Sequence, residues 1–241
     1  MSMRYKGGVI SATAPTTSAS AASGVWTLPQ QLQALAAGNW TGIPLVIGQA
    51  YQGGYYAGQI GTSGVATHNL VVAPVSSGQS SSKKWKNANS ATTGADSVID
   101  GPQNTADMVA DGSSTVYPAA HFCNDLVIGG FSDWYMPAKN ELDVCYYNLK
   151  PSTTSNTTSS GINANAIPAR ASNNTAGNPA QTTSAAFKDT GAEDFTAAAY
   201  YWSSTESSGV GASPQDFDVG TQGNFYKDND FSVRAIRRVA V

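Results

Sequence analysis

Residues 119–149 read AAHFCNDLVIGGFSDWYMPAKNELDVCYYNL, the longest stretch of the chain with helical spacing on both sides of a turn. In its first part, apolar side chains recur at the spacing of one helix face, at Ala120, Cys123, Leu126 and Val127. The glycine pair at 129–130 predicts the end of that helix, because glycine adopts backbone angles that other residues avoid.

A second helix is predicted after Pro137, whose fixed φ suits a first helical turn. Glu141 adds negative charge near the helix N-terminus, where the helix dipole favours it. The apolar face of this helix is formed by Leu142, Cys145, Tyr146 and Leu149. The whole stretch therefore predicts a helix, a Gly-Gly turn, a tryptophan-bearing hairpin or loop, and a second helix.

The composition of the chain limits the classes of function. Of its 241 residues, 12% are charged, and the formal net charge is −3. Because phosphate binding requires clustered Lys and Arg, no nucleic-acid partner is expected. No apolar run approaches the roughly 20 residues that cross a bilayer, so membrane insertion is not expected. The opening MSMRYKGG has no apolar core, and we therefore predict no signal peptide.

The two cysteines, Cys123 and Cys145, both fall on predicted apolar helix faces. We expect two buried, unpaired side chains. A disulfide is the alternative, and it requires the two helices to lie side by side. The two histidines, His68 and His121, lack the spacing of a metal site.

Residues 1–40 differ from the rest of the chain. Residues 12–24 read ATAPTTSASAASG, which predicts a flexible or extended arm. Leucines at helical spacing in residues 25–40 then predict a short amphipathic helix. Together with the preceding GGVIS, this opening resembles a module of phage structural and tail-fibre proteins. The resemblance implies that residues 1–40 contact other virion proteins or further copies of the chain.

Residues 42–112 are predicted to be rich in strands and loops. Short apolar runs predict strands at 43–47 and 69–75, and residues 49–60 predict extended chain on both sides of a glycine pair. Residues 104–110 predict a helix. Trp85 is expected to pack inward from a polar loop.

Residues 151–182 contain few bulky apolar side chains and predict a long, partly ordered surface insertion. Strand signals return at residues 200–206 (YYWSSTE) and 233–239 (VRAIRRV).

Between those strand signals, Phe217 and Val219 alternate with Asp216 and Asp218, a pattern that predicts a half-buried strand. Residues 220–223 predict the turn that follows it.

Several motifs in this part of the chain resemble the DUF1566 family. They are GGFSDWYMPAKNEL (residues 129–142), YYWSSTE and VRAIR, with Gln215, Phe217, Gly220, Gln222 and Lys227 between them. That family is similar to the C-terminal domain of the Legionella collagen-like adhesin and belongs to the group with C-type-lectin-like folds. The resemblance covers about residues 43–241 and implies an α+β, C-type-lectin-like domain at residues 41–241.

Framework roles follow from that resemblance. Trp134 and Trp202 are expected to be core aromatics that bridge helices and sheet. Glu141 and Arg234 are expected to form a buried or half-buried ion pair.

The chain also resembles the variable proteins of diversity-generating retroelements, which end in such a domain. In those proteins, changes near the C-terminus favour Asn, Ser, Asp, Tyr and Phe. We predict that the matching positions bind a ligand, because aromatic rings give contact area and Asn and Asp give adaptable hydrogen bonds. The alternative is an ordinary polar hairpin that covers its own domain. The predicted residues are Asp216, Asp218, Thr221, Asn224, Phe225, Tyr226, Asp228, Asn229, Asp230 and Phe231.

No enzymatic activity is predicted. The group with C-type-lectin-like folds also includes a formylglycine-generating-enzyme-like branch, whose members use reactive cysteines near the end of the domain, whereas the last cysteine here is Cys145. Asp216 and Asp218 could flank a sugar as two glycosidase carboxylates, but acidic pairs on polar hairpins are usually solvated.

No cofactor is expected, with a structural calcium ion as the alternative. Residues 100–111 and 224–230 are rich in oxygen atoms that could bind it. Neither segment matches an EF-hand, and no EPN or QPD triplet of calcium-dependent lectins occurs.

The sequence thus predicts a receptor-binding or adhesion protein of a phage particle, at a tail-fibre tip or a similar position. Its partner would be a host-surface protein or glycan, bound through the C-terminal residues. By analogy with fibre tips, we expect a homotrimer. The alternative is a structural virion protein that holds its neighbours. A bacterial surface adhesin is disfavoured by the lack of a signal peptide.

Overall fold

The computed structural model describes residues 45–241. The chain divides into two units between Leu45 and Val46. The arm and the helix predicted within residues 1–40 lie outside the described residues. Residues 45–47 form no strand, so the strand prediction for 43–47 is wrong for its described part.

The described residues contain α-helices and two β-sheets, as the α+β prediction requires. The helices are α1 (Val75–Gly78), α2 (Gly101–Asp111), α3 (Pro118–Asn124) and α4 (Lys139–Leu149), with a 3-10 turn at Ala185–Phe187. The strands are β1 (Ala50–Tyr51), β2 (Gly54–Thr62), β3 (Val65–Val72), β4 (Gln79–Lys84), β5 (Ala166–Ile167), β6 (Tyr200–Ser208), β7 (Gly211–Asp216), β8 (Phe225–Tyr226), β9 (Asp230–Arg234) and β10 (Ile236–Ala240). Among the described residues, no helix is both long and apolar enough to span a membrane.

The second predicted helix of the 119–149 stretch is confirmed as α4. The four residues assigned to its apolar face are all buried. Glu141 closes the first turn, because its Oε2 accepts a hydrogen bond from the Ala138 N–H at 2.8 Å. This bond supplies an acceptor for a backbone group that would otherwise lack one at the helix start.

The first predicted helix is shorter than expected. Helix α3 ends at Asn124, so Leu126 and Val127 lie beyond it, and Val127 is 73% exposed. The glycine pair makes a tight turn further on, between Ile128 and Phe131. The helix therefore ends before the glycines, and its predicted extension to Val127 is wrong.

The first sheet has the order β1-β2-β3-β10, and β5 pairs with β2 outside that path. Strands β2 and β3 form a hairpin through Ser63 and Gly64, both with positive φ, as a two-residue hairpin turn requires. Strand β10, near the C-terminus, pairs antiparallel with β3.

The second sheet has the order β4-β9-β6-β7-β8. Strands β9 and β10 are separated only by Ala235 and belong to different sheets. The single closing strand predicted at 233–239 is therefore two strands. The chain passes from the second sheet to the first at this point, which joins the two sheets covalently.

The three tryptophans of the described residues, Trp85, Trp134 and Trp202, are buried as predicted. The indole N–H of Trp85 donates to the Ser203 carbonyl at 2.9 Å, and that of Trp202 donates to the Lys83 carbonyl at 3.0 Å. Each tryptophan therefore adds a hydrogen bond to its packing: Trp85 bonds to the backbone of β6, and Trp202 bonds to the backbone of β4.

The predicted ion pair between Glu141 and Arg234 is wrong. Glu141 Oε1 accepts a hydrogen bond from Arg238 Nε at 2.7 Å and from the Tyr135 hydroxyl at 2.5 Å. Arg234 Nη2 instead donates to Glu193 Oε2 at 3.0 Å. Both arginines lie near the C-terminus, and the two carboxylates come from different parts of the chain, so the sequence alone could not pair them.

Candidate functional site

The predicted ligand-binding residues lie in two parts of the second sheet and its connections, which together we call the C-terminal face: Asp216, Asp218, Thr221, Asn224, Phe225, Tyr226, Asp228, Asn229, Asp230 and Phe231. The first three lie at the end of β7 and in the connection that follows it, and the remainder lie just before β8, on β8, in the following turn and at the start of β9.

The first part is a turn rather than the predicted half-buried strand. Strand β7 ends at Asp216, and residues 217–219 form the turn. Asp216 Oδ1 accepts the Asp218 N–H at 2.7 Å and the Val219 N–H at 3.4 Å. An aspartate that accepts its own chain's N–H groups in this way favours a turn over a strand. The alternation of residues 216–219 was therefore misleading.

The long 151–182 segment lies directly against this turn. The Thr157 N–H donates to the Val219 carbonyl at 2.7 Å, and the Gln222 N–H donates to the Ser160 hydroxyl at 3.3 Å. The Ser152 hydroxyl lies 3.5 Å from a carboxylate oxygen of Asp218. The segment therefore forms one flank of the C-terminal face.

A buried amide holds the 151–182 segment together. Asn156 Nδ2 donates to the carbonyls of Thr175, Ala176 and Pro179 at 2.8–3.3 Å. Its Oδ1 accepts from Lys150 Nζ at 2.7 Å and from a tyrosine hydroxyl of α4 at 2.5 Å. The segment has little regular structure, and this amide supplies a hydrogen-bond donor to three of its backbone carbonyls.

The second part of the face contains a cluster of half-buried rings. Tyr200 stacks on Phe231 with the ring centres 5.2 Å apart and lies 5.0 Å from Phe225. Phe231 also packs against Trp202 at 4.7 Å. Tyr200 was predicted only as part of a strand, and its place in this cluster was missed, because it reaches the face from β6, far away in sequence.

Tyr200 also links the two parts of the face. It pairs with Asp216 across β6 and β7. Burial raises the pKa of the Tyr200 hydroxyl, and the charge and hydrogen bond of the Asp216 carboxylate raise it further. The turn after β7 and the ring cluster therefore share a contact.

Beside the ring cluster, a surface groove of about 410 Å³ is lined by Val210, Gly211, Asn224, Phe225, Tyr226 and Asn229. Tyr226 is 62% exposed and is the only largely exposed aromatic side chain among residues 45–241. The groove has an apolar wall and amide groups at its rim, a combination that suits binding of another molecule.

Lys227 lies between the groove residues Tyr226 and Asn229 and anchors the turn there, because its side chain is fully buried. Lys227 Nζ donates to Glu206 Oε2 at 2.7 Å, to the Ser90 carbonyl at 2.7 Å and to the Gly209 carbonyl at 3.2 Å. Burial lowers the pKa of the ammonium, and the Glu206 carboxylate opposes that shift. The anchor fixes the exposed Tyr226 next to it in sequence.

The positions of the two cysteines do not favour a role as nucleophile or metal ligand. Cys123 and Cys145 are both buried and unpaired, which confirms the expected packing role and not the disulfide. Burial raises the pKa of both thiols. Thiols that stay protonated are poor nucleophiles and poor metal ligands.

The two segments considered for calcium differ in structure. Residues 101–111 form helix α2 and not a binding loop. Residues 224–230 include β8, the turn after it and the first residue of β9. Within residues 45–241, no group of three or more His, Cys, Asp or Glu side chains is placed to hold a metal ion.

Gly220, a motif residue next to the face, is expected to tolerate no side chain. Its φ is +79°, and an added Cβ would lie 2.3 Å from Cε1 of the Tyr146 ring. We expect Gly220→Ala to lower the free energy of unfolding by about 2 kcal/mol, measured by urea denaturation, because strain and a clash combine.

Gly130→Ala is the matched control for that change. Gly130 has a φ of +84°, and no heavy atom among the described residues lies within 4 Å of an added Cβ. Gly130→Ala should therefore lower the free energy of unfolding by about 1 kcal/mol, through backbone strain alone. Equal losses in the two variants would show that the Tyr146 ring moves aside freely.

The ten predicted residues thus lie at the end of β7, on β8, at the start of β9 and in the connections between these strands; the 151–182 segment flanks them, and Tyr200 contacts both parts. Six of them are partly buried and contribute to the fold as well as to the surface, while Asn224, Tyr226, Asp228 and Asp230 are exposed. Comparison of the chain with models of known protein families finds no match, and a search of curated proteins finds none either.

Proposed function

We propose that this chain is a receptor-binding protein of a phage particle, whose C-type-lectin-like domain binds a host-surface molecule through the C-terminal face. The observation that supports it best is Tyr226, an exposed ring at the edge of a groove, on a turn that a buried lysine anchors. A fixed tyrosine gives a large contact area and loses little side-chain entropy when a partner binds.

The architecture is consistent with the proposed fold. Strand β10 pairs with β3, so the end of the chain closes the first sheet, while the second sheet carries the irregular connections. In C-type-lectin-like domains, binding occurs on such irregular connections and the framework keeps its shape. The motif residues Trp134, Trp202 and Gln215 are all buried framework here, which supports the same assignment.

A structural virion protein is the second candidate. Several valines outside the face, among them Val65 and Val127, are also more than half exposed. Exposed apolar side chains can serve contacts with neighbouring subunits. In that case the C-terminal face would hold another virion protein, and its loss would prevent assembly and not host adsorption.

We expect Tyr226→Ala to reduce binding of the labelled full-length chain to host bacteria by about tenfold or more, because truncation of a central aromatic contact removes a binding hot spot. Binding is measured by flow cytometry over a range of protein concentrations. The urea midpoint should hardly change, since Tyr226 is largely exposed.

Val127→Ala is the control, because it removes an exposed apolar side chain outside the face. It should bind host cells like the unchanged chain. Loss of binding in both variants would indicate nonspecific apolar adsorption. If the unchanged chain binds no host and phage carrying Tyr226→Ala fail to assemble, the structural role replaces the receptor-binding role.

A further inference from the structure

The C-terminal face carries unbalanced negative charge. Residues 206–231 contain the carboxylates of Glu206, Asp216, Asp218, Asp228 and Asp230 and a single ammonium, that of Lys227. Lys227 is buried against Glu206 at 2.7 Å, so each neutralises the other. The four aspartates form no ion pair of 4 Å or less with any described residue.

Neighbouring cations offset this charge only in part. Lys84 lies opposite Asp230 in the pairing of β4 with β9, and Lys150 lies near enough to Asp218 to interact with its charge. Asp228 is exposed, forms no ion pair of 4 Å or less with a described residue, and lies in sequence between two groove residues, Tyr226 and Asn229. An exposed carboxylate without an ion-pair partner therefore lies in the turn that also carries groove residues.

The exposed ring of the groove is also open to a cation. Elsewhere in the described chain, Lys and Arg side chains lie over aromatic rings, as Arg237 does over Phe131 at 3.9 Å and Arg170 over Tyr147 at 4.2 Å. No Lys or Arg of the described residues lies over the ring of Tyr226. Asp228 is two residues from Tyr226 in the chain. An aromatic ring and a carboxylate that lie close together are a favourable site for a guanidinium or an ammonium.

We propose that the groove binds a cationic segment of a host-surface protein and receives an Arg or Lys side chain against Tyr226 and Asp228. This inference rests on the proposed receptor-binding function and specifies the partner. Charge complementarity would favour encounter with such a partner. The same charge would repel phosphate-bearing or carboxylate-bearing surface glycans, which makes an anionic glycan the disfavoured occupant.

The first test measures binding of a fluorescent hexa-arginine peptide to the full-length chain by anisotropy. The double variant Asp228→Asn with Asp230→Asn should bind at least about tenfold more weakly, and binding by the unchanged chain should weaken between about 20 and about 200 mM NaCl. Asp107→Asn with Asp125→Asn removes two carboxylates on or next to α2 and α3, outside the face, and should bind within about twofold of the unchanged chain.

Two results in the peptide experiment would overturn the inference. One is equal weakening in the two double variants, which would show attraction to the net charge of the protein and not to the face. The other is binding of a hexa-glutamate peptide as tight as that of hexa-arginine. Tyr226→Leu keeps an apolar side chain and removes the ring, so full retention of hexa-arginine binding would exclude the ring from the site.

Binding to host cells separates this inference from the proposed function. If Tyr226→Ala abolishes cell binding and the Asp228 and Asp230 double variant binds as the unchanged chain does, the face is a receptor site and the cationic partner is wrong. If the unchanged chain binds no host cell, the proposed function fails and the partner fails with it. Loss of cell binding in both face variants, with the α2 and α3 control intact, supports both.

Discussion

Replacing Arg234 by methionine is expected to lower the free energy of unfolding by about 3–5 kcal/mol, because it leaves a nearly buried carboxylate without its cation. The Arg234 side chain is fully buried, and Nη2 donates to Glu193 Oε2 at 3.0 Å. Its Nε donates to the Ala73 carbonyl at 2.9 Å, and Nη1 donates to the carbonyls of Glu193 and Asp194 at 2.9 and 3.2 Å. The measurement is equilibrium unfolding in urea.

The size of this effect follows from burial. Burial lowers the pKa of Arg234 to about 10, and the guanidinium lies 4.7 Å from the ring centre of Phe195. After the substitution, Glu193 would keep only the Tyr55 hydroxyl at 3.1 Å and the Val75 N–H at 2.8 Å. Three backbone carbonyls would also lose their donor, and each unsatisfied buried group adds a desolvation cost.

Arg237→Met is the matched control. Arg237 makes a two-pronged contact with Asp133 at 2.7 and 2.8 Å, but the Asp133 side chain is 54% exposed. Water can therefore solvate Asp133 when its partner is removed, and we expect a loss of about 1 kcal/mol. Arg234→Lys should lower the free energy of unfolding by an amount between these two losses, because lysine keeps the positive charge but lacks the planar guanidinium with its several N–H donors. If Arg234→Met lowers the free energy of unfolding by no more than Arg237→Met does, burial of the Arg234–Glu193 pair is not the cause of the effect.

The sequence predicted those features that depend on short-range pattern. Helix α4 follows from Pro137, Glu141 and four apolar residues at helical spacing, and no distant residue is needed to place it. Burial of Trp85 and Trp202 follows equally from the size of an apolar ring in a polar surrounding.

The wrong predictions share a physical cause, which is competition by contacts that a pattern does not encode. Residues 216–219 alternate like a strand, but the Asp216 carboxylate accepts the N–H groups of the next residues and stabilises a turn. Arg234 takes Glu193 as its partner because the 183–199 loop, which has no periodic pattern, folds over the end of β3.

For the candidate site, the sequence predicted the types of residue on the face, but not the residues from other parts of the chain that pack against them. The face was predicted from its Asn, Asp, Tyr and Phe content. Tyr200 and Glu206 arrive from β6, and the 151–182 segment arrives from the other side, so their contributions become visible only in three dimensions.

Lys227→Met is expected to lower the free energy of unfolding by about 3 kcal/mol, because it leaves Glu206 nearly buried and without a cation. Glu206 would keep only the Thr92 N–H, at 2.7 Å, among its described partners. The carbonyls of Ser90 and Gly209 would lose the ammonium that they share. The ammonium also lies 4.8 Å from the ring centre of Trp85, and that contact would be lost as well. Urea unfolding measures the change.

A double-mutant cycle with Glu206→Gln tests whether the ion pair is the cause. The double variant removes both charges and keeps an acceptor for Thr92, so its loss should be smaller than the sum of the two single losses by about 1 kcal/mol or more. Additive losses would show that Lys227 acts through packing alone. Because Lys227 anchors the turn that presents Tyr226, the single variant should also bind host cells more weakly at temperatures where it remains folded. The double variant should recover part of that binding, since relief of the unpaired carboxylate lets the turn regain its position beside the groove.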